Sequence, residues 1–154
     1  PQEGYEYGIV DEPGLPMLEE ALEKYPRLKF IGHSQPFWHE ISQDAKPDLK
    51  SRMEWGKGPV KEGGRLVCLM RNYKNLYADL SANSGGCAIM RDEKFGLQFL
   101  EEFQDRLMFG TDMVNTDMVF PLGEWLDRQY QEGKLSVQAY RKICFENAKK
   151  IFQL

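Results

Sequence analysis

"LKFIGH", residues 28–33, is the stretch on which the fold turns. It is too short and too apolar for an amphipathic helix, and polar residues follow it, so it reads as a short buried strand that stops at a histidine. Upstream, Leu15, Leu18, Leu22 and Tyr25 recur at helical spacing until Pro26 ends the pattern. The unit is therefore a helix that feeds a strand.

Outward from this stretch the same unit recurs. "GRLVCLMRNY", residues 64–73, puts Leu66, Leu69, Met70 and Tyr73 on one helical face and runs into a second short strand, "NLYADLSA", residues 75–82. "EKFGLQFLEEFQ", residues 93–104, turns Phe95, Phe99, Leu100 and Phe103 inward and precedes a third strand, "RLMFGTD", residues 106–112. Residues 43–61 read as a long irregular excursion, and "NSGGCAIMRD", residues 83–92, as a polar loop. Two helices are expected to close the chain, "LGEWLDRQYQ" and, behind Ser136 as N-cap, "VQAYRKICFENAKKIF". Helices alternating with apolar strands give an α/β fold with a parallel sheet.

Each strand ends alike. His33, then Asp79 and Ser81, then Thr111 and Asp112 arrive at C-terminal strand ends, the edge on which parallel α/β folds build their sites. The totals narrow the class of function. Twenty basic and 24 acidic residues leave a net charge of −4, with no basic field for nucleic acid. No apolar run suits a membrane span and the first residues are not a signal peptide, so a cytoplasmic, soluble protein without membrane contact is expected. Cys68, Cys87 and Cys144 lack paired spacing and read as ordinary thiols of a reduced compartment.

Taken together, "LPMLEEALEKYPRLKFIGHSQPFW", "NLYADLSANSG", "LMFGTD" and "CFENAKKIFQL" resemble the C-terminal part of the amidohydrolase-related proteins. That metal-dependent superfamily also includes aminocarboxymuconate semialdehyde decarboxylase. The resemblance implies strands six to eight of a (β/α)8 TIM barrel, in one partial domain over residues 1–154 with an irregular lead-in at 1–14 and β/α units from 15. It also implies a hydrolase acting on a small carboxylated or amide-like substrate, with decarboxylation using the same residues. His33 and Asp112 would be the catalytic residues and metal ligands for a divalent ion, most simply zinc, while Arg91 and Trp38 are candidates for binding substrate. Asp79 is expected to serve loop amides structurally, and His39 to lie at the surface.

The family's first-strand HxH pair and its middle-strand ligands have no counterpart, since His39 is the other histidine. A zinc site needs at least three protein ligands. The chain alone is therefore expected not to hold catalytic zinc, and to be completed by the remainder of a longer parent chain or by self-association. The rival expectation is a non-catalytic truncated barrel that pairs its open strand edges or binds a small ligand.

Overall fold

The computed structural model describes residues 11–154; positions 1–10 of the expected lead-in lie outside the described residues. Helix α1 (Pro16–Lys24) opens with proline at its first position. The Asp11 carboxylate accepts the amides of Met17 and Leu18 at 3.1 and 2.7 Å, satisfying donors that no helical carbonyl can reach. Strand β1 (Phe30–Gly32) follows, then β2 (Leu76–Asp79) and β3 (Leu107–Met108), all parallel in the order β1-β2-β3. The fold is thus α/β with successive parallel β/α units, consistent with part of a barrel. Among the described residues no helix is long and apolar enough to cross a membrane.

Between β1 and β2 lie α2 (Gln35–His39), α3 (Leu49–Arg52) and α4 (Arg65–Asn72). The expected excursion at 43–61 is irregular except for α3, whose first turn is capped by Asp48 accepting from Ser51 N. Between β2 and β3 lie α5 (Ala82–Met90) and α6 (Glu93–Glu102), and after β3 comes α7 (Leu122–Gln131). Helix α5 corrects the expectation of a loop at 83–92. Its glycines disfavour an isolated helix, but a Cβ at Gly85 would sit 2.7 Å from the Leu80 backbone, so close packing selects the small residue and holds the helix.

Register fixes which side of the sheet meets the helices. Phe30 pairs with Leu76 and Ala78 with Leu107, so these side chains share one face. Leu76, Ala78 and Leu107 are fully buried there, in a core with Leu22, Leu69, Leu100 and Leu126. Ile31, Tyr77 and Asp79 lie on the opposite face, where Ile31 remains 39 % exposed.

The chain closes with α8 (Val137–Arg141), a π-turn over Lys142–Glu146 and α9 (Asn147–Phe152), with Ser136 capping α8 through Ala139 N as its sequence predicts. The π-turn widens the helix and leaves the Ile143 carbonyl to accept Phe109 N at 2.8 Å. One turn on, Asn147 Nδ2 donates to the carbonyls of Gln104 and Leu107 at 2.6 and 2.8 Å. Since Arg106 and Met108 carbonyls serve β2, Leu107 and Phe109 face the outer edge of β3. The terminal helix thus satisfies that edge as a neighbouring strand would.

Candidate active site

All three strands are shorter than their apolar runs, and the residues just beyond them form the site. After β2, Asp79 Oδ1 accepts Ser81 N at 2.8 Å, a side-chain turn that ends the strand. Ser81 Oγ donates to Asp79 Oδ2 at 2.8 Å. His33, beyond β1, brings Nδ1 within 3.3 Å of both Asp79 Oδ2 and Ser81 Oγ. Its other nitrogen, Nε2, stands 3.9 Å from Asp112 Oδ2 beyond β3. Adjacent strands in parallel register bring the four side chains into one cluster at the sheet's C-terminal edge.

The hydrogen bonds assign the tautomer. Ser81 gives its proton to Asp79, so its oxygen can accept only from Nδ1–H, and His33 is protonated at Nδ1 in either charge state. Nε2 is then free to face Asp112. The bond to Asp79 raises the His33 pKa above its ordinary 6.5 against the opposing effect of burial, with the charges of Asp79 and Asp112 adding to the rise. For Asp79, burial pulls upward most strongly, but His33 together with the amide and hydroxyl of Ser81 carries its pKa below the ordinary 3.8. Each group thus favours the charged form of the other, the carboxylate drawing His33 toward imidazolium and the imidazole holding Asp79 toward carboxylate.

The backbone is strained where the strands end. Ser34, Ala82 and Asp112 have φ of 76°, 55° and 53°, a region costing a non-glycine residue about 1 kcal/mol or more, and one falls beside each strand end. Ala82 N also donates to Thr111 O at 3.2 Å, tying two of these turns together. Gly110 gives the cluster room: a Cβ there would stand 3.2 Å from Ser81 Cβ and 3.4 Å from Asp79 Oδ1.

His33 and Asp112 open into a cavity of about 770 Å³ between β1 and α1, walled by Leu15, Leu18, Ile31 and Phe37. The structure does not bring Arg91 or Trp38 to it. Trp38 is 2 % exposed in the core and donates Nε1–H to Asp79 O at 3.1 Å, so it holds β2 from behind. Arg91 lines a separate cleft of about 240 Å³ on the far side of Trp38. His39 is bound to the Lys46 carbonyl at 2.9 Å, outside the cluster. Sequence reasoning left out Asp79 and Ser81 as partners of His33; the signal was a polar pair at the same level of the adjacent strand.

For a metal the donor set falls short. With Nδ1 committed to Asp79 and Ser81, the cluster offers Nε2 and the Asp112 carboxylate, and no group of three or more His, Cys, Asp or Glu is arranged for an ion among the described residues. Two ligands do not make a catalytic zinc site. In comparisons with known proteins, residues 9–154 match a family described as Amidohydrolase. Neither the curated proteins nor the solved structures give a match.

Proposed function

The chain belongs to the amidohydrolase family, and on that premise we propose that the His33, Asp79 and Asp112 cluster is the acid–base part of a hydrolytic site. The three strands would be the sixth to eighth of a (β/α)8 barrel, with the site at its C-terminal mouth. The observation that carries this reading is His33 held between two carboxylates, with Nδ1 on Asp79 and Nε2 facing Asp112.

The separation of 3.9 Å is too long for a hydrogen bond, and oxygens of water and substrate beside the pair can reach both groups. Asp112 takes a proton from water as the water oxygen bonds to a carbonyl carbon. His33 donates Nε2–H to the carbonyl oxygen, where negative charge develops, and Asp79 holds the imidazolium for that task. The proton held by Asp112 then passes to the departing amine or alcohol as its bond to carbon breaks, and the acid so formed returns a proton to His33 Nε2. The mostly apolar cavity suits a small carboxylated or amide-like substrate with an apolar body. No step is routed through a metal, because two donors do not fit one. A metal-dependent reaction would draw its remaining ligands from outside the described residues, in a longer parent chain or a second copy.

The test is hydrolysis of a panel of aryl esters and N-acyl amino acids, with and without added zinc. His33→Asn and Asp112→Asn should each lower the rate by about a hundredfold or more. Variants as active as the parent chain would overturn the assignment. Release of CO₂ from a carboxylated substrate, with no hydrolysis product, would move the site to decarboxylation.

A further inference from the structure

Outside the strand-end cluster, two residues with buried, unpartnered donors line one cleft. Helix α5 presents Ser84, Ala88 and Arg91 on one face, four and three residues apart. Ser84 is 4 % exposed and its Oγ has no hydrogen-bond partner. The Nε of Arg91 is likewise buried and unpartnered, and the guanidinium makes one weak bond, Nη1 to Lys57 O at 3.3 Å. Native structures rarely leave buried donors empty-handed, and two residues that carry such donors line one cavity of about 240 Å³, where an acceptor would serve them.

The neighbouring carboxylates are already in use. Asp92 accepts Phe95 N and Val60 N at 3.1 and 3.0 Å, and Asp44 accepts Ser42 Oγ at 2.6 Å. Among the described residues no carboxylate lies within ion-pair distance of Arg91. The loop presses on the guanidinium, since a Cβ at Gly56 would stand 2.5 Å from Nη1. Lys46, Lys57 and Arg91 face Asp44 and Glu54 around the cleft, leaving one net positive charge. Trp38 forms the buried wall, and Trp55, half exposed, lines the same cleft.

We propose that this cleft is a second ligand site, distinct from the strand-end cluster and independent of its assigned role, for a small monocarboxylate with an aromatic or apolar body. The Arg91 guanidinium and Ser84 O–H donate to the carboxylate, and the half-exposed Trp55 flanks the body. The single excess charge favours a monoanion over a doubly charged phosphate, and the guanidinium plane matches the two oxygens of a carboxylate.

Benzoate is the probe, with benzamide as its neutral counterpart and inorganic phosphate as the competing anion, each titrated into the ¹⁵N-labelled chain. The expected result is saturable benzoate binding that moves the Arg91 Nε–H and Trp55 indole signals, with benzamide at least about tenfold weaker. Arg91→Gln should weaken benzoate about tenfold or more, and Ser84→Ala about threefold. Ser84→Ala should keep or raise the melting temperature, because it removes an orphaned hydroxyl. If Arg91→Gln does not fold, Ser84→Ala decides. The proposal is overturned if benzoate does not saturate, if benzamide equals it, if phosphate binds more tightly, if folded variants bind benzoate unchanged, or if the shifts centre on His33.

Discussion

The two edges of the sheet are treated in opposite ways. At β3 the chain bends its own terminal helix into a π-turn so that Ile143 O and Asn147 Nδ2 meet Phe109 N and Leu107 O, each at 2.8 Å. At β1 no strand pairs with the outer edge among the described residues, and Ile31, whose backbone groups alternate away from β2, borders the apolar cavity instead. A strand edge can therefore be finished without a strand, where a side-chain amide and a displaced helical carbonyl fall at the right spacing. The candidate site spans the C-terminal ends of all three strands, and its cavity opens on the unfinished side, with His33 beyond the end of β1. The finished side contributes stability, and the unfinished side contributes access.

The largest effect should follow from breaking the finished edge. Asn147→Ala removes both donors to the carbonyls of Gln104 and Leu107, and Leu107 is fully buried. Leaving a buried carbonyl without a partner should cost about 2–3 kcal/mol, read from chemical denaturation. A loss below about 0.5 kcal/mol would mean that the terminal helix merely lies beside β3.

At the open edge the expected effects are in protonation before stability. NMR titration of His33 should give a pKa above 6.5, and Asp79→Asn should lower it, because the bond that raises it is lost while the burial that opposes it remains. The sign for stability follows. A raised histidine pKa stabilises the fold fully below 6.5, and that contribution fades as pH rises through the folded-state value. Asp79, with a lowered pKa, contributes above 3.8 and loses its contribution as pH falls through its folded-state value. Both groups are partly exposed, so the whole dependence should stay under about 1 kcal/mol. A stability profile unchanged between the parent chain and Asp79→Asn from pH 3 to 8 would break the pairing.

These contrasts were unevenly legible in the sequence. Helices α1, α4, α6, α7 and the terminal helix could be read because their apolar residues recur at helical spacing, and local pattern decides such elements. Helix α5 could not, because its small residues answer to the Leu80 backbone, a contact made by the fold. The π-turn was equally silent: "RKICFE" carries the same stripe as an α-helix, and only the unpaired edge of β3 gives the extra residue a purpose. In the site, His33 and Asp112 stood out as strand-terminal residues. The role of Asp79 was missed because its partner lies on another strand, and the residue-to-residue register, Gly32 beside Ala78, is not written in either segment.

Amide exchange compares the two edges within one molecule. Phe109 N–H, bonded to the terminal helix, should exchange at least about a hundredfold more slowly than Ile31 N–H, since fully bonded core amides open with most of the global free energy and edge amides with little. Equal protection would show that β1 is covered in the working protein.

The smallest effect expected is also the sharpest test of that openness. Ile31→Lys places a charge on the outer strand, where the side chain is already 39 % exposed and can extend its ammonium into water over the apolar cavity. Such a change should alter stability by no more than about 0.5 kcal/mol. Lysine on an exposed edge also discourages pairing with another strand. If β1 accepts a partner from the rest of a longer chain or from a second copy, the same substitution would instead cost about 2 kcal/mol or more, because the ammonium would be buried without a counter-charge. Sedimentation of the variant beside the parent chain separates the two sources: a second copy makes the loss depend on protein concentration, whereas a partner within the same chain does not.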